Sequence, residues 1–271
     1  MSRTKSRTPQ FNFPLNHSEA MSNCGDIVLI DSLQLAVDIG PDCWDRPRSQ
    51  PAFASIYLHL AKEYLDTSAA SDDVRDSVHY GHLAKSISEL SLAGAPAFQD
   101  VNGLQQAIAA KCFALAGRAA VGVRVVVDMP KMILLASGFR VDVTVPPVTP
   151  FVGLARTVSI TDMIVPVIIG VNPPERESKQ RVIVNITIFE APGSSPPPDY
   201  RAIISSLHLK LESTAFLTLE KFVMEAVRFG VLASDRFEKV TVRAQKPSAL
   251  AFAHSSGVEI TRSRAAFSGA D

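Results

Sequence analysis

DIGPDCWD at residues 38–45 and IIGVNPPE at residues 168–175 decide the architecture. Each places an acid, Asp45 or Glu175, five residues after an Ile-Gly pair, and the two stretches stand at a constant offset of 130. Such an offset between otherwise divergent segments marks an internal duplication of a unit of about 120 residues. Leu33, Leu35, Val37 and Ile39 alternate ahead of the first stretch, and Val165, Val167 and Ile169 ahead of the second, as half-buried strands require.

Working outward, the first copy reads as a strand ending at Gly40-Pro41, a second strand over about 53–64 with Ile56, Leu58 and Leu60 on one face, and a polar loop from Ser68 to Asp76. Helical patterns near 79–91 and 102–118 follow. Val123, Val125 and Val127 then mark a strand stopped by Pro130, and Val141, Val143 and Val145 one stopped by Pro146-Pro147. The order is ββααββ. After the Pro-rich PPVTPFVG (146–153), a composition typical of domain boundaries, the order repeats. Strands fall at 165–169, 182–188, 238–245 and 257–263, helices at 200–212 and 217–232, and APGSSPPP (191–198) forms a turn. The expected divisions are a disordered tail (1–25), unit 1 (26–147), a linker (148–154), unit 2 (155–263) and a C-terminal tail (264–271).

Composition narrows the function classes. Among 271 residues, Lys+Arg and Asp+Glu number 27 each, so no basic excess points to nucleic acid. No apolar run approaches the roughly 20 residues that cross a bilayer. Cys24, Cys43 and Cys112 are odd in number and far apart, which reads as reduced intracellular thiols packed in the fold. His79 and His82 lie three apart on a helix with no third ligand nearby in sequence, so no metal site is expected. The expected location is cytoplasmic. Arg3, Lys5 and Arg7 in a Ser/Thr-bearing tail leave a mitochondrial presequence open.

Four segments are more specific: DIVLIDSL (26–33), SDDVRDSVHYG (71–81), FLTLEKFVMEAV (216–227) and VTVRAQKP (240–247). Together, within the duplicated frame, they resemble the dihydroneopterin aldolase family in a tandem form similar to the N-terminal part of fungal multifunctional folate-synthesis enzymes. The resemblance covers about 26–145 and again 155–263. It implies an α+β chain of two T-fold (tunnelling fold) units, each an antiparallel four-stranded sheet with two helices, joined edge to edge into barrels. It also implies a homotetramer that imitates an octamer of single units. The implied activity is the metal-independent and cofactor-free cleavage of 7,8-dihydroneopterin in folate biosynthesis.

In that family the site lies between two units, one giving an Asp–Val–Tyr wall and the other an upstream Glu, an anchoring Glu and a Lys. Copy one keeps the wall as Asp72, Val78 and Tyr80. Copy two keeps the rest: Glu175 as the upstream acid, Glu220 as the pterin anchor preceded by Leu219, and Lys246 as the amine. The losses are complementary. Copy one offers Asp45, Gln105 or Gln106, and Met129 at the second group of positions, whereas copy two keeps only Tyr200 of the wall. The resemblance therefore implies one live composite site, with catalytic Lys246, Tyr80 and Glu175 and substrate-binding Glu220, Leu219, Val78 and Asp72. The reciprocal combination around Tyr200 is expected to be dead.

These residue types suit the chemistry. A pterin offers a ring N–H beside an exocyclic amine, and one carboxylate accepts both bonds as it would from arginine. A retro-aldol cleavage then needs proton traffic at a hydroxyl and a carbon. The residues leave open two rivals: a pterin-binding scaffold without turnover, and an epimerase or oxygenase acting on the same pterin. They also leave open whether Tyr80 and Lys246 meet within one chain or between two.

Overall fold

The computed structural model describes residues 25–267 except 93, 96, 149–150, 152 and 194–197. The expected tail at 1–25 thus lies almost wholly outside the described residues, as do Cys24 and parts of the 148–154 linker and the 191–198 turn. The chain forms β1 (Ile27–Val37), β2 (Gln50–Leu60), α1 (Asp66–Ser71), α2 (Tyr80–Ser88), α3 (Val101–Ala116), β3 (Ala120–Asp128) and β4 (Gly138–Val145). There follow β5 (Arg156–Val167), α4 (Pro173–Glu177), β6 (Gln180–Glu190), α5 (Tyr200–Glu212), α6 (Leu219–Leu232), β7 (Phe237–Lys246) and β8 (Ser256–Ser263).

The eight strands make one antiparallel sheet in chain order, β1 to β8. Its seam is the β4–β5 pairing, from Gly138 opposite Thr161 to Val143 opposite Arg156, which turns two four-stranded units into one surface. Alternation sends Ile56, Leu58, Val125, Val143, Val165, Val184 and Val242 to one face, all buried beneath the helices. The opposite face is polar and closed by cross-strand ion pairs: Arg124 with Asp142 at 2.6 Å, Arg140 with Asp128 at 3.0 Å and Arg243 with Glu259 at 2.7 Å.

The duplication is written in the backbone. β1 and β5 each carry a bulge with a left-handed residue, Ser32 (φ 54°) and Asp162 (φ 50°), 130 positions apart. The bulge explains where β5 starts. It shifts the apolar phase between Ile160 and Met163, so alternation read from sequence begins at Val165 although the strand begins at Arg156. Two further expectations differ. The second strand stops at Leu60, and the loop expected at 68–76 holds α1 and a 3₁₀ turn at Val74–Asp76. Ala69 and Ala70 favour the helix, and Asp73 accepts from Arg75 N–H at 2.9 Å to set the turn.

At the seam, three charges are nearly withdrawn from water. Glu190 meets Arg236 at 2.8 Å and Arg156 at 3.9 Å. Burial pushes the Glu190 carboxyl up, and the two guanidiniums oppose that shift. Removing the Glu190 charge would leave the two nearly buried guanidiniums without the carboxylate they share. Glu190→Gln should therefore cost about 3–5 kcal/mol in chemical denaturation.

Candidate active site

Copy two builds its half of the site from a turn. Gly170 (φ 131°) ends the run after β5, and a Cβ there would lie 2.2 Å from the Glu175 carboxylate. Only glycine lets that side chain fold back. Pro173 and Pro174 then start α4, pre-setting the first-turn dihedrals and carrying Glu175 in its first turn. Glu175 Oε2 accepts from Asn172 N–H at 3.1 Å and from Asn172 Nδ2 at 3.0 Å. Its other oxygen receives Lys246 Nζ at 2.5 Å, and Lys246 also donates to Ile169 O at 3.4 Å. The side chains of Lys246 and Glu175 are 12% and 22% exposed. The Lys246 hydrogen bond, with help from Asn172, pulls the Glu175 carboxyl down to about 2 against the opposing effect of burial. The Glu175 carboxyl is therefore ionised at neutral pH.

A strap joins this turn to the helix that bears the other two candidates. Arg176 donates to the carbonyls of Gly170 (3.2 Å), Phe216 (3.0 Å) and Ala215 (2.8 Å). Thr218 caps α6 by accepting from Lys221 N–H at 3.3 Å, which puts Leu219, half-buried, and Glu220, exposed, in its first turn. Asn172, Gly170 and Arg176 were not singled out from sequence. The signal available was the pair of prolines beside the Ile-Gly repeat.

Copy one holds the wall. Val78 is buried, Asp72 (φ 54°) closes α1 with its N–H on Ser68 O, and Tyr80 opens α2 behind the His79 cap. The Tyr80 ring is 68% exposed. The wall does not meet Lys246 within the chain. α2 packs beside β1, the first edge of the sheet, whereas Lys246 ends β7, six strand steps away. At about 4.8 Å per step, that is roughly 29 Å along the sheet.

The seam instead brings the reciprocal residues together. Tyr200 packs on Phe139 of β4 with ring centroids 5.4 Å apart. It lines a cavity of about 310 Å³ with Gly40, Asn102, Arg156 and Glu190. The acid there is already engaged, since Arg201 binds Asp45 at 2.9 Å and Asp42 O at 2.5 Å. Met129 is fully buried. It is the counterpart of Lys246, because the bulged pairs Leu60–Ala120 and Glu190–Phe237 align β3 with β7 at the same spacing.

One alignment is corrected. Asp100 caps α3 by accepting from Gly103 N–H, as Thr218 does from Lys221 in α6, so the position of Glu220 is filled by Asn102 rather than by Gln105 or Gln106. Buried positions run in the same register, with Leu104 and Ile108 matching Phe222 and Ala226. Gln105 is a core residue that donates to Val125 O at 3.1 Å and Val141 O at 3.0 Å, and Gln106 reaches Phe151 O.

The Glu175 shift has a defined sign. A carboxyl lowered by folding stabilises the native state above its unfolded value, near 4.5, and that stability is lost as pH falls towards 2. Glu175→Gln should be less stable than wild type at pH 6, with the gap closing between about pH 4.5 and 2 in urea titrations.

Comparison with known proteins places the chain in a family. The dihydroneopterin aldolase (FolB) family model matches residues 28–145 and again 158–261. The chain is 24% identical over 243 residues to folic acid synthesis protein fol1 of Schizosaccharomyces pombe, covering 89% of the chain and 31% of that protein. It is 26% identical over 266 residues to the protein of the same description from Pneumocystis carinii, covering 93% and 34%. It thus spans about a third of these relatives' length. A uricase from Arthrobacter globiformis shares the fold at a TM-score of 0.59 and 10% identity, over 91% of this chain and 96% of that one. With the family match repeated across both units, the chain belongs to the dihydroneopterin aldolase family.

Proposed function

We propose that the chain is a dihydroneopterin aldolase of folate biosynthesis whose working site is composite and forms between two copies. The observation that carries this reading is the Lys246–Glu175 contact at 2.5 Å, in a unit whose own wall has lost its acid and valine. Its missing wall survives on the other unit, at the opposite edge of the same sheet. Only a second chain would set β8 beside β1, so that Tyr80 of one copy faces Lys246 of the other. Two chains would then close a ring of four units, and two stacked rings would give the tetramer.

In the proposed reaction, Glu220 accepts the two N–H groups of the pterin edge, with Leu219, Val78 and Asp72 shaping the pocket. Lys246 has three ammonium hydrogens, and two are taken by Glu175 and Ile169 O among the described residues. The third is left to hold a water against the 2′-hydroxyl. The hydroxyl proton passes through that water to the nitrogen of the ring C=N as the C1′–C2′ bond breaks and glycolaldehyde leaves, and this N–H is given up again when C1′ is protonated. The electron pair moves into the ring C=N as an enol-like form. Tyr80 helps return a proton to C1′, yielding 6-hydroxymethyl-7,8-dihydropterin. Glu175 fixes the position of the amine. Each proton-handling group is worth about 10²–10⁴ in rate.

Lys246→Ala should abolish glycolaldehyde release from 7,8-dihydroneopterin and Tyr80→Phe should block formation of 6-hydroxymethyl-7,8-dihydropterin, while Tyr200→Phe keeps most of both. Mixing the Tyr80→Phe and Lys246→Ala chains separates an intermolecular site from an internal one. Random re-pairing makes about half the pairs mixed, each with one intact site of two, so about a quarter of the 6-hydroxymethyl-7,8-dihydropterin formation should return. No recovery on mixing, after verified subunit exchange, would place the site within one chain. Epimer or oxidised pterin as the main product, compared under air and argon, would favour the rival enzymes.

A further inference from the structure

The loop between β3 and β4 does not remain on its own unit. Leu135 O accepts from Ile164 N–H at 2.9 Å, and Ser137 N–H donates to Thr161 O at 2.9 Å, so the loop grips both sides of the β5 bulge. Ser137 Oγ adds a bond to Thr161 O at 3.1 Å. Ile133 is buried, and Leu134 and Leu135 face Met163, Ile204 and Leu209 of the second unit across a shared groove. This loop is the mechanical clasp of the seam.

Its duplicate is the β7–β8 loop, 247–255, which begins directly after Lys246. Among the described residues that loop packs its apolar side chains into no core. Leu250 is 56% exposed and Phe252 is fully exposed. The matching receptor is open among the described residues. The β1 bulge at Ser32 repeats the β5 bulge, with Asp31 and Gln34 standing 130 positions before Thr161 and Ile164. Leu33 stands where Met163 does, only partly buried, on an edge strand that pairs with β2 alone among the described residues. α2, with Tyr80 at its start, packs against the same strand.

We infer that Phe252 and Leu250 form a second clasp, which docks on the β1 bulge and α2 of another copy of this chain. Both are positioning residues. They lie in the loop that leaves Lys246, so seating them fixes the amine half-site on the neighbour's Tyr80 half-site. This deepens the aldolase reading, although the docking itself does not depend on turnover.

The test uses the full chain with Phe252→Ser and Leu250→Ser combined; neither side chain contributes to the core of a single copy. Sedimentation equilibrium should show self-association weakened at least about tenfold, as expected from two lost apolar anchors. The protein concentration at half-maximal cleavage should rise by a similar factor, with wild-type turnover regained at high concentration. Phe252→Tyr should restore both, and Leu232→Ser, an exposed apolar change away from the loop, should alter neither. A double variant that sediments and responds to dilution like wild type overturns the inference, as does a wild-type chain that is monomeric throughout. Altered sedimentation in a chain with no cleavage activity would keep the clasp and reject the aldolase reading.

Discussion

The pairing of β4 with β5 is the constraint on which the rest of the molecule depends. It joins the two units in a fixed order, so the last edge of the first copy always meets the first edge of the second. A site that needs a wall from one unit and an amine from the next can form across that seam in one way only. Here the seam sets Tyr200 beside Asn102 and pairs its neighbour Arg201 with Asp45, with buried Met129 at the position that matches Lys246. The retained groups are left at the two free edges. Sheet topology thus leads directly to the proposal that the working site belongs to a pair of chains.

The divergence of the copies is local and chemically legible. Asp42 stands where copy two has Asn172, and the two lead their neighbouring arginines in different directions. In copy one, Arg46 and Arg48 both close on the buried Asp42 carboxylate, at 2.9 and 2.8 Å. Burial works against that charge, but the arginine contacts and the backbone N–H groups of Arg46 and Trp44 hold the carboxyl well below its ordinary range. In copy two the neutral Asn172 leaves Arg176 free to reach Phe216 and Ala215 and so to tie the turn to α6. Without prolines to start a helix, Asp45 takes a left-handed conformation (φ 57°) and pairs with Arg201 across the seam. Residues at the positions of the copy-two turn thus serve to hold the seam together.

Much of this was readable beforehand because strand alternation and the 130-residue offset are local properties of the chain. The helix at 200–212 and the strand near 238–245 were placed within a residue or two, since Tyr200 follows an Asp cap and Gly or Pro punctuation bounds the strands. Reading failed where a single backbone event altered the phase. The Asp162 bulge hid the first half of β5, and the capping geometry of α3 moved the anchor position from Gln105 or Gln106 to Asn102. A bulge adds one residue without a distinctive side chain, and a helix start is defined by which carboxylate reaches which N–H.

The sequence by itself determined that two ββααββ units are present, that they resemble one family, and that the two copies carry different residues at matching positions, because residue identity and spacing survive duplication. Only the tertiary structure decided which halves meet. Lys246 and Glu175 are 71 residues apart in sequence and 2.5 Å apart in space, whereas Tyr80 and Lys246 lie at opposite ends of one sheet. The physical reason is hydrogen-bond register: backbone pairing across the seam fixes neighbours that no side-chain pattern along the chain specifies.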